Sequence, residues 1–280
     1  MLSPFFKNDK QLTLSRFPLA QVNRSLQAWD ASDEYLLNYI KTEQLIQANT
    51  RVLIFNDAFG ALATSFCSPI SSSALSNSDN TEVFCINDSY VSSQGIKPNI
   101  DVILFKIPKS KSLLIAQLLQ LKKSFEHYKA DKNTVFIAAN RAKEIHSSTL
   151  ALFEKYLGTT TTSLAVKKAR LVFCQLDQKQ TFDSPFPTVW PLTNKALKRD
   201  FVISNHANVY AREKLDIGAR YFIENLPKVE ENCKVIDLGC GNGVIGLSVL
   251  AKQPEALVHF IDESYMAIAS TKQNIIDNMP

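Results

Sequence analysis

The stretch VIDLGCGNGVIGLSVL, from Val235 to Leu250, decides the fold of the second half of the chain. An apolar run leads into three alternating glycines, and a second apolar run with helical spacing follows them. Glycine has no side chain, so its backbone can turn tightly and a ligand can lie directly against it. The pattern therefore predicts a strand, a ligand-binding loop and a helix, as in a doubly wound α/β sheet.

Two carboxylates indicate which ligand this loop binds. Asp237 ends the first predicted strand, and Asp262 ends the next one, Leu257–Ile261, where it can accept hydrogen bonds from both hydroxyls of a ribose. The spacing GNGVIG also matches the dinucleotide fingerprint. Asp237, however, would repel a pyrophosphate and suits a ligand with a cationic amino-acid tail. The sequence predicts S-adenosylmethionine, with NAD(P) and a loop that serves packing alone as the alternatives.

The same pattern occurs earlier in the chain in an altered form. VLIFNDAFGALA, which starts at Val52, aligns with VIDLGCGNGVIG, and CINDSY, which starts at Cys85, aligns with FIDESY. We interpret the repeat as two versions of one domain, with chance similarity of two βαβ units as the alternative. The predicted fold class is α/β, with two tandem Rossmann-like domains, the first degenerate and the second incomplete in this chain.

The first copy lacks the groups that would hold a cofactor. Asn56–Phe59 stands in place of the glycine-rich segment, and Ile54 and Asn87 replace the two carboxylates. Bulky side chains fill the ligand space, so we predict that the first copy binds no cofactor.

Charge separates the two halves. Residues 101–170 contain 13 lysines and arginines against 5 aspartates and glutamates, whereas residues 186–280 contain 10 against 11. A basic segment suits an anionic partner, and a solvated lysine-rich surface is the alternative. By hypothesis the first domain holds RNA through cations near two predicted strands: Lys106, Lys109, Lys167, Lys168 and Arg170.

Three prolines in DSPFPTVWP, Asp183–Pro191, mark a domain boundary, which we place between 185 and 186. Domain 1–185 is then the degenerate, RNA-binding copy, and 186–280 is the N-terminal part of the cofactor-binding domain. Strands are predicted at 52–55, 83–86, 102–105, 134–138 and 169–176 in the first domain. Helices are predicted at 25–46, 113–128 and 148–157, and in the second domain at 216–225 and 266–278.

Composition excludes several classes of protein. No apolar run reaches the roughly 18 residues of a membrane span, and the N-terminus is too polar for a secretory signal. Five cysteines, an odd number, indicate reduced thiols in a cytoplasm. The four histidines are scattered, so we expect no metal. Tandem domains reduce the need for a partner subunit, so we expect a monomer.

Longer strings carry a resemblance to a known family. NHANVYAREKLDIGARYF, DLGCGNG and FIDES resemble the bacterial ribosomal RNA guanine-N2 methyltransferases, which pair a degenerate methyltransferase-like domain with an active one. LTLSRFP, QAWDASDEYLL, LIFNDAFGALA and IHSSTLALFEKYLGTTTTSLAVKKARL resemble in particular the large-subunit (23S) RlmG family. The small-subunit (16S) enzymes share the architecture and remain the alternative.

The resemblance implies a class I methyltransferase fold and methylation of the exocyclic N2 of a guanine in 23S ribosomal RNA. The target base must leave its stack, so protein-free RNA is the expected substrate. It also implies that Asp262 holds the ribose and that Arg212 and Asp216 flank the cofactor, with a surface ion pair or a helix cap as the alternative for these two. The residues implied to form the cofactor loop are Asp237, Gly239, Gly241 and Gly243.

One departure from the family concerns catalysis. Only 18 residues follow Asp262, and the family's catalytic Asn-Pro-Pro-Phe string is not found in this sequence. We therefore expect a chain truncated at its C-terminus and inactive by itself, and we assign no catalytic residue. The rival functions are a non-catalytic RNA-binding protein, an NAD-linked oxidoreductase, and a methyltransferase that acts on a protein or a small molecule.

Overall fold

The computed structural model describes residues 2–7, 10–16, 27–66, 81–88, 99–128, 133–177, 179–194, 197, 199–228 and 230–279. The chain divides into two compact units. The first unit comprises residues 1–87 and 91–182, and the second comprises 88–90 and 183–280. Each unit has its own hydrophobic core.

The first unit is a six-stranded sheet with helices, preceded by a β-hairpin. Its elements are β1 Leu2–Lys7, β2 Lys10–Thr13, α1 Ala31–Thr42, β3 Arg51–Phe55, α2 Ala61–Phe66, β4 Glu82–Ile86, β5 Val102–Lys106, α3 Lys111–Tyr128, β6 Val135–Arg141, a 3₁₀ turn Ala142–Glu144, α4 Ser147–Tyr156, β7 Thr160–Thr162 and β8 Ala169–Cys174.

The strand order of this sheet is β4-β3-β5-β6-β8-β7. The strands β4, β3, β5 and β6 are parallel, while β8 is antiparallel to both of its neighbours. Parallel strands are covered on both faces, which explains why VILF at 102–105 is fully apolar and buried. The order reverses between β3 and β5, so a crevice for ligands is expected at their carboxyl ends.

Capping decides where α1 starts. The Asp30 carboxylate accepts hydrogen bonds from the backbone N–H groups of Ser32 and Asp33, and the Asp33 carboxylate accepts one from the N–H of Asp30. This reciprocal capping box fixes the first turn. The helix predicted over 25–46 is therefore too long, since apolar periodicity carries no information about its ends.

Two strand regions were missed by the sequence analysis. The hairpin β1–β2 lies before the first predicted element, and β7 consists of three threonines, Thr160–Thr162, without an apolar partner in sequence. A short polar edge strand has no period-2 apolar pattern, so only its pairing with β8 reveals it.

The second unit contains an antiparallel pair and a parallel pair of strands. Its elements are β9 Thr188–Asn194, β10 Arg199–Asn205, α5 Ile217–Glu224, β11 Lys234–Leu238, α6 Val244–Lys252, β12 Leu257–Ile261 and α7 Tyr265–Asn278. The helix predicted at 216–225 is α5, with Asp216 as its N-cap and Asn225 as its C-cap.

Helix α7 packs against β10 through buried polar side chains. The Asn274 amide accepts a hydrogen bond from the backbone N–H of Ser204 at 2.7 Å and donates one to its carbonyl at 3.0 Å. Asn278 makes the same two contacts with Val202, each at 2.8 Å. Two amides one helical turn apart thus replace a neighbouring strand along the edge of β10.

The predicted repeat is confirmed in the backbone. Val52 pairs with Val83 across β3 and β4, and the aligned residues Val235 and Val258 pair in the same parallel register across β11 and β12. The strands have equal lengths in the two copies. The mixed α/β fold class with tandem Rossmann-like units is confirmed.

Candidate functional site

The glycine loop, Gly239–Gly243, connects β11 to α6. Gly239 and Gly241 have positive φ angles of 74° and 57°, and a Cβ added at either residue would meet no atom within 4 Å. A Cβ at Gly246 would instead lie 2.3 Å from Cε1 of Phe260. The first two glycines therefore leave open space against which a ligand can lie, whereas Gly246 permits packing of α6 on β12.

Asp262 lies directly beside this loop. Its Oδ2 accepts a hydrogen bond from the backbone N–H of Gly241 at 2.9 Å, and its Oδ1 accepts one from the N–H of Ser264, also at 2.9 Å. An ionised carboxylate offers about four acceptor positions. Two of them hold the loop and the start of α7, and the remaining two are available to a pair of ribose hydroxyls.

Asp237 lies near the end of β11, just before the glycine loop, as its sequence position predicted. Its Oδ2 accepts a hydrogen bond from the backbone N–H of Gly246 at 2.9 Å, so it ties β11 to the first turn of α6. Burial raises the pKa of Asp237, and the negative charge of Asp262 raises it further, against the effect of the Gly246 bond. It is not found among the described residues that line the adjacent cavity.

That cavity has a volume of about 400 Å³ and lies at the carboxyl ends of β11 and β12. Its walls bring together the glycine loop, Asp262 and the segment before α5. Lys214, which also lines it, lies in the segment AREKLDIGAR that the family resemblance implied to flank the cofactor, whereas the sequence analysis missed Tyr210 and Glu263. Glu263 follows Asp262 directly and Tyr210 lies two residues before Arg212, and this closeness to predicted site residues is the signal that could have identified them.

The structure separates the two residues predicted to flank the cofactor. Asp216 lines the cavity and also caps α5, accepting hydrogen bonds from the N–H groups of Gly218 and Ala219. Those backbone bonds, the one from Ala219 first, lower the pKa of Asp216. Arg212 is not among the described lining residues, and its guanidinium pairs with Glu213 at 2.9 Å. Asp216 is thus a helix cap, and Arg212 forms an ion pair, the two alternatives that the sequence left open for these residues.

In the first unit, the structure places Lys106 in a partly buried cluster of charges. Its Nζ lies 3.0 Å from Oδ1 of Asp30 and 2.5 Å from Oδ1 of Asp33, and it donates a hydrogen bond to the Ser32 hydroxyl at 2.6 Å. Burial raises the pKa of Asp30, but the Lys106 ammonium and local hydrogen bonds outweigh it and bring that pKa to about 2. The charge of Lys106 is therefore already compensated within the fold.

The other predicted phosphate ligands lie nearer to solvent. Lys109, Lys167 and Lys168 are exposed, and Lys167 forms an exposed ion pair with Glu34 at 2.9 Å. Arg170 is half-buried in β8, and its Nε is buried without a hydrogen-bond partner among the described residues. Lys106, Lys167 and Lys168 line one cavity.

The first-copy loop, Asn56–Gly60, has a hydrogen-bonded side chain at the position where the glycine loop has open space. The Asn56 amide donates hydrogen bonds to the Lys106 carbonyl at 2.8 Å and to Oε1 of Gln117 at 2.9 Å, and it accepts one from Gln117 at 2.8 Å. Gln117 is 1% exposed. A side chain and its buried partner thus occupy the position of Gly239.

Among the residues that the structure describes, there is no cluster of three or more histidine, cysteine, aspartate or glutamate side chains suited to a metal ion. No described helix is long and apolar enough to cross a membrane.

Tandem doubly wound units, the glycine loop and the carboxylate at the end of the second strand define a class I methyltransferase, the class that uses S-adenosylmethionine. The two parts of the chain match different family models. Residues 3–178 match the RLMG N-terminal domain, and residues 200–280 match the Methyltransferase small domain.

The chain belongs to the family of ribosomal RNA large subunit methyltransferase G, as the resemblance predicted. It is 62% identical to the protein of that name from Colwellia psychrerythraea, over 100% of this chain and 75% of that protein. It is 45% identical to the one from Aeromonas salmonicida, over 96% of this chain and 72% of that protein.

A solved structure shows the same architecture. The T. thermophilus 16S rRNA N2 G1207 methyltransferase (RsmC), solved in complex with AdoMet and guanosine, superposes with a TM-score of 0.69. The superposition covers 99% of this chain and 72% of that chain at 13% identity. At this identity the likeness shows the shared fold.

Proposed function

We propose that the protein transfers a methyl group from S-adenosylmethionine to the exocyclic N2 of a guanine in 23S ribosomal RNA. The observation that supports this most directly is the 62% identity, along the whole chain, to a ribosomal RNA large subunit methyltransferase G. Ribosomal RNA is made and modified in the bacterial cytoplasm, and we place the reaction there.

The second unit would hold the cofactor at the glycine loop. The free acceptor positions of Asp262 would take the two ribose hydroxyls, and the open faces of Gly239 and Gly241 would let the ligand lie against the backbone. Asp237 would act through the loop by holding Gly246. The bound cofactor would supply an electrophilic methyl group on a sulfonium.

Electrostatics at this cavity favour a cationic ligand over a pyrophosphate. Asp216, Asp262 and Glu263 line it together with the cation Lys214. The excess of carboxylates suits the ammonium and sulfonium groups of S-adenosylmethionine and would repel the phosphates of NAD(P). This supports the methyltransferase over the oxidoreductase.

The first unit would bind the RNA and no cofactor. Lys109, Lys167, Lys168 and Arg170 are the proposed phosphate ligands. We leave Lys106 out of this set because both Asp30 and Asp33 already bind its ammonium, and breaking that cluster would leave buried carboxylates unpaired. The Asn56 amide, hydrogen-bonded to the Lys106 carbonyl and to Gln117, would take the place of a cofactor there.

The proposed substrate is RNA without ribosomal proteins. A guanine N2 in a paired, stacked site is not accessible, so the base must leave its stack before the amine can attack the methyl group in line. Exposing the base costs less free energy in unfolded RNA than in a paired, stacked site. Holding the guanine amine in line with the methyl group then supplies much of the rate enhancement.

A methylation assay with the native protein from its own cells tests this proposal. The expected result is transfer of labelled methyl groups from S-adenosylmethionine to 23S transcripts, in preference to 16S transcripts and assembled large subunits, with N2-methylguanosine as the product. Label in 16S RNA alone would establish the small-subunit alternative, and label in protein or small molecules would overturn the proposal.

A variant pair relates that activity to the cofactor cavity. Asp262→Ala is expected to abolish methyl transfer to every RNA, since it removes the ribose acceptor and releases the Gly241 N–H. Glu255→Gln removes one exposed carboxylate of the same unit that does not line the cavity, and it is expected to keep full activity.

A further inference from the structure

The first unit contains a cavity of about 960 Å³, and Lys167 and Lys168, two of the proposed phosphate ligands, line it. It lies at the carboxyl ends of β3, β5 and β6, next to the start of α1 and the turn between β7 and β8. Its volume is in the range of sites that hold small organic ligands or single residues of a polymer.

This cavity and the candidate cofactor cavity are bordered by the aligned loop segments Asn56–Phe59 and Gly239–Asn242, but they extend in different directions from them. In the second unit the ligand space extends to the end of β12, where Asp262 lies. The aligned residue Asn87, at the end of β4, is not among the described residues that line the first-unit cavity. The cavity extends in the opposite direction, to Lys106 at the end of β5 and Arg141 at the end of β6.

The mouth of the cavity contains an aromatic ring covered by a guanidinium. Phe59 is 43% exposed, and the Arg16 guanidinium lies 4.4 Å from the centre of its ring. The aligned residue of the second unit, Asn242, is 5% exposed and hydrogen-bonded within the fold. Aromatic and guanidinium planes are the surfaces on which unpaired bases stack.

The interior of the cavity is polar and already organised. The Asp30 and Asp33 carboxylates line it and are held in place by Lys106. Trp29 lines it too, is 7% exposed, and its indole N–H has no hydrogen-bond partner among the described residues. A carboxylate acceptor and an indole donor can bind the edge of an unpaired base.

The rim of the cavity carries an excess of positive charge. Lys143 forms an exposed ion pair with Glu144, as Lys167 does with Glu34, and such pairs bind weakly enough to exchange their carboxylate for a phosphate. The rim cations are Arg16, Arg141, Lys143, Lys167 and Lys168.

Two of these lysines lie in a strained turn. The lysine turn, Val166–Ala169, joins β7 to β8, with mutual backbone hydrogen bonds of 2.9 and 2.8 Å between its end residues. Lys167 and Lys168 both have positive φ angles, 47° and 66°. A two-residue turn of this type favours Asn-Gly, because other residues are strained there. Strain retained at the mouth of a cavity points to a role for these side chains.

We propose that this cavity binds one unpaired nucleotide of the RNA, with the base stacked on Phe59 and Arg16 and the adjacent phosphates held by Lys167 and Lys168. The inference rests on the proposed function, since it assumes that RNA is the ligand of the first unit. It adds a single-stranded binding mode and a position for one base.

The lysine turn allows a test in which loss of binding cannot be attributed to loss of folding. The double substitution Lys167→Asn with Lys168→Gly creates the favoured turn, so the melting temperature is expected to rise while affinity for a single-stranded oligonucleotide falls about tenfold or more. The charge-matched control is Lys111→Gln with Lys123→Gln, two exposed lysines of α3 outside the cavity, and it should change affinity less than threefold.

The stacked base is tested with the full chain and an oligonucleotide that carries 2-aminopurine. Stacking quenches this fluorophore, so binding should lower its emission. Phe59→Ala should remove the quenching and weaken binding about tenfold, whereas Phe59→Trp should keep both. The same oligonucleotide in a duplex should bind weakly and without quenching.

The outcomes separate the inference from the proposed function. If the lysine-turn variant weakens RNA binding while Phe59→Ala changes neither affinity nor emission, the nucleotide site is overturned and RNA binding by the first unit stands. If neither variant differs from the control, the nucleotide site and the role of the lysine turn in RNA binding are overturned, while methyl transfer to 23S RNA is decided separately by the methylation assay. If free guanosine monophosphate competes as well as the oligonucleotide does on an equal molar basis, the site serves a small nucleotide and the RNA version is overturned.

Discussion

The first-copy loop and the glycine loop have nearly the same backbone and opposite uses. Asn56 and Gly239 begin the two loops with φ angles of 60° and 74°, and each donates its N–H to the carbonyl at the end of the neighbouring strand at 2.8 Å. One loop is filled by a side chain, and the other is open. The shared backbone conformation is thus a requirement of the fold. The lack of side chains at Gly239 and Gly241 is not required by the fold, and we attribute it to ligand binding.

The largest expected effect comes from exchanging side chains at this position. Gly239→Asn keeps a left-handed conformation that asparagine tolerates, and its Cβ would meet no atom within 4 Å, so the melting temperature should barely change. Its side chain would occupy the ligand space, and affinity for S-adenosylmethionine should fall roughly 100-fold, about 2.8 kcal/mol. Titration calorimetry measures it, and unchanged affinity would show that the ligand does not lie against this loop.

The second prediction concerns the packing of α6. Gly246→Ala places a Cβ 2.3 Å from Phe260 and should destabilise the second unit by about 1–3 kcal/mol. The aligned positions of the first copy carry Ala63, which is larger than Gly246, and Cys85, which is smaller than Phe260. Adding Phe260→Cys should therefore cost less than the two single changes together. Additive losses in urea unfolding would contradict this steric account.

The third prediction restores glycine in the first copy. Asn56→Gly relieves a left-handed residue but leaves the Gln117 amide buried without its partner, so we expect a net loss of roughly 1–2 kcal/mol in unfolding free energy. S-adenosylmethionine binding to the first unit should not appear, since Asn87 still replaces the ribose carboxylate. A stabilised variant would show that the Asn56 amide contributes little to the fold.

The smallest expected effect is a pH dependence of the first unit that comes from Asp30. Asp30 has a pKa lowered from 3.8 to about 2, so its pairing with Lys106 stabilises the fold above about pH 4 and is lost as the pH falls towards 2. The neighbouring Asp33 acts in the opposite direction, since burial raises its pKa.

Asp30→Asn keeps a residue able to cap α1 and removes this titration. The difference in unfolding free energy between the original protein and the variant should be constant above about pH 5 and should shrink between about pH 4 and 2. A difference that does not depend on pH would exclude the Asp30–Lys106 pair as its source.

Much of the fold could be read from local patterns. The apolar runs of β3, β5 and β11 and the glycines after β11 predicted strands, loop and helix, because a parallel sheet requires continuous apolar strands and a bound nucleoside requires a bare backbone. The same reading missed β7 and the ends of α1. β7 is defined by its pairing with β8, and the start of α1 is defined by the reciprocal cap of Asp30 and Asp33; neither follows from periodicity.

The sequence by itself determined the repeated βαβ unit, the family, and the residues Gly239, Gly241 and Asp262 at the candidate cofactor site. Those features can be predicted because each is defined by residues that lie close together in the sequence. Only the tertiary structure decided that Lys106 is neutralised by Asp30 and Asp33, that Asn274 and Asn278 serve as a strand for β10, and that Phe59 opens onto a basic cavity. Each of these joins residues far apart in the chain, and their distances follow from packing.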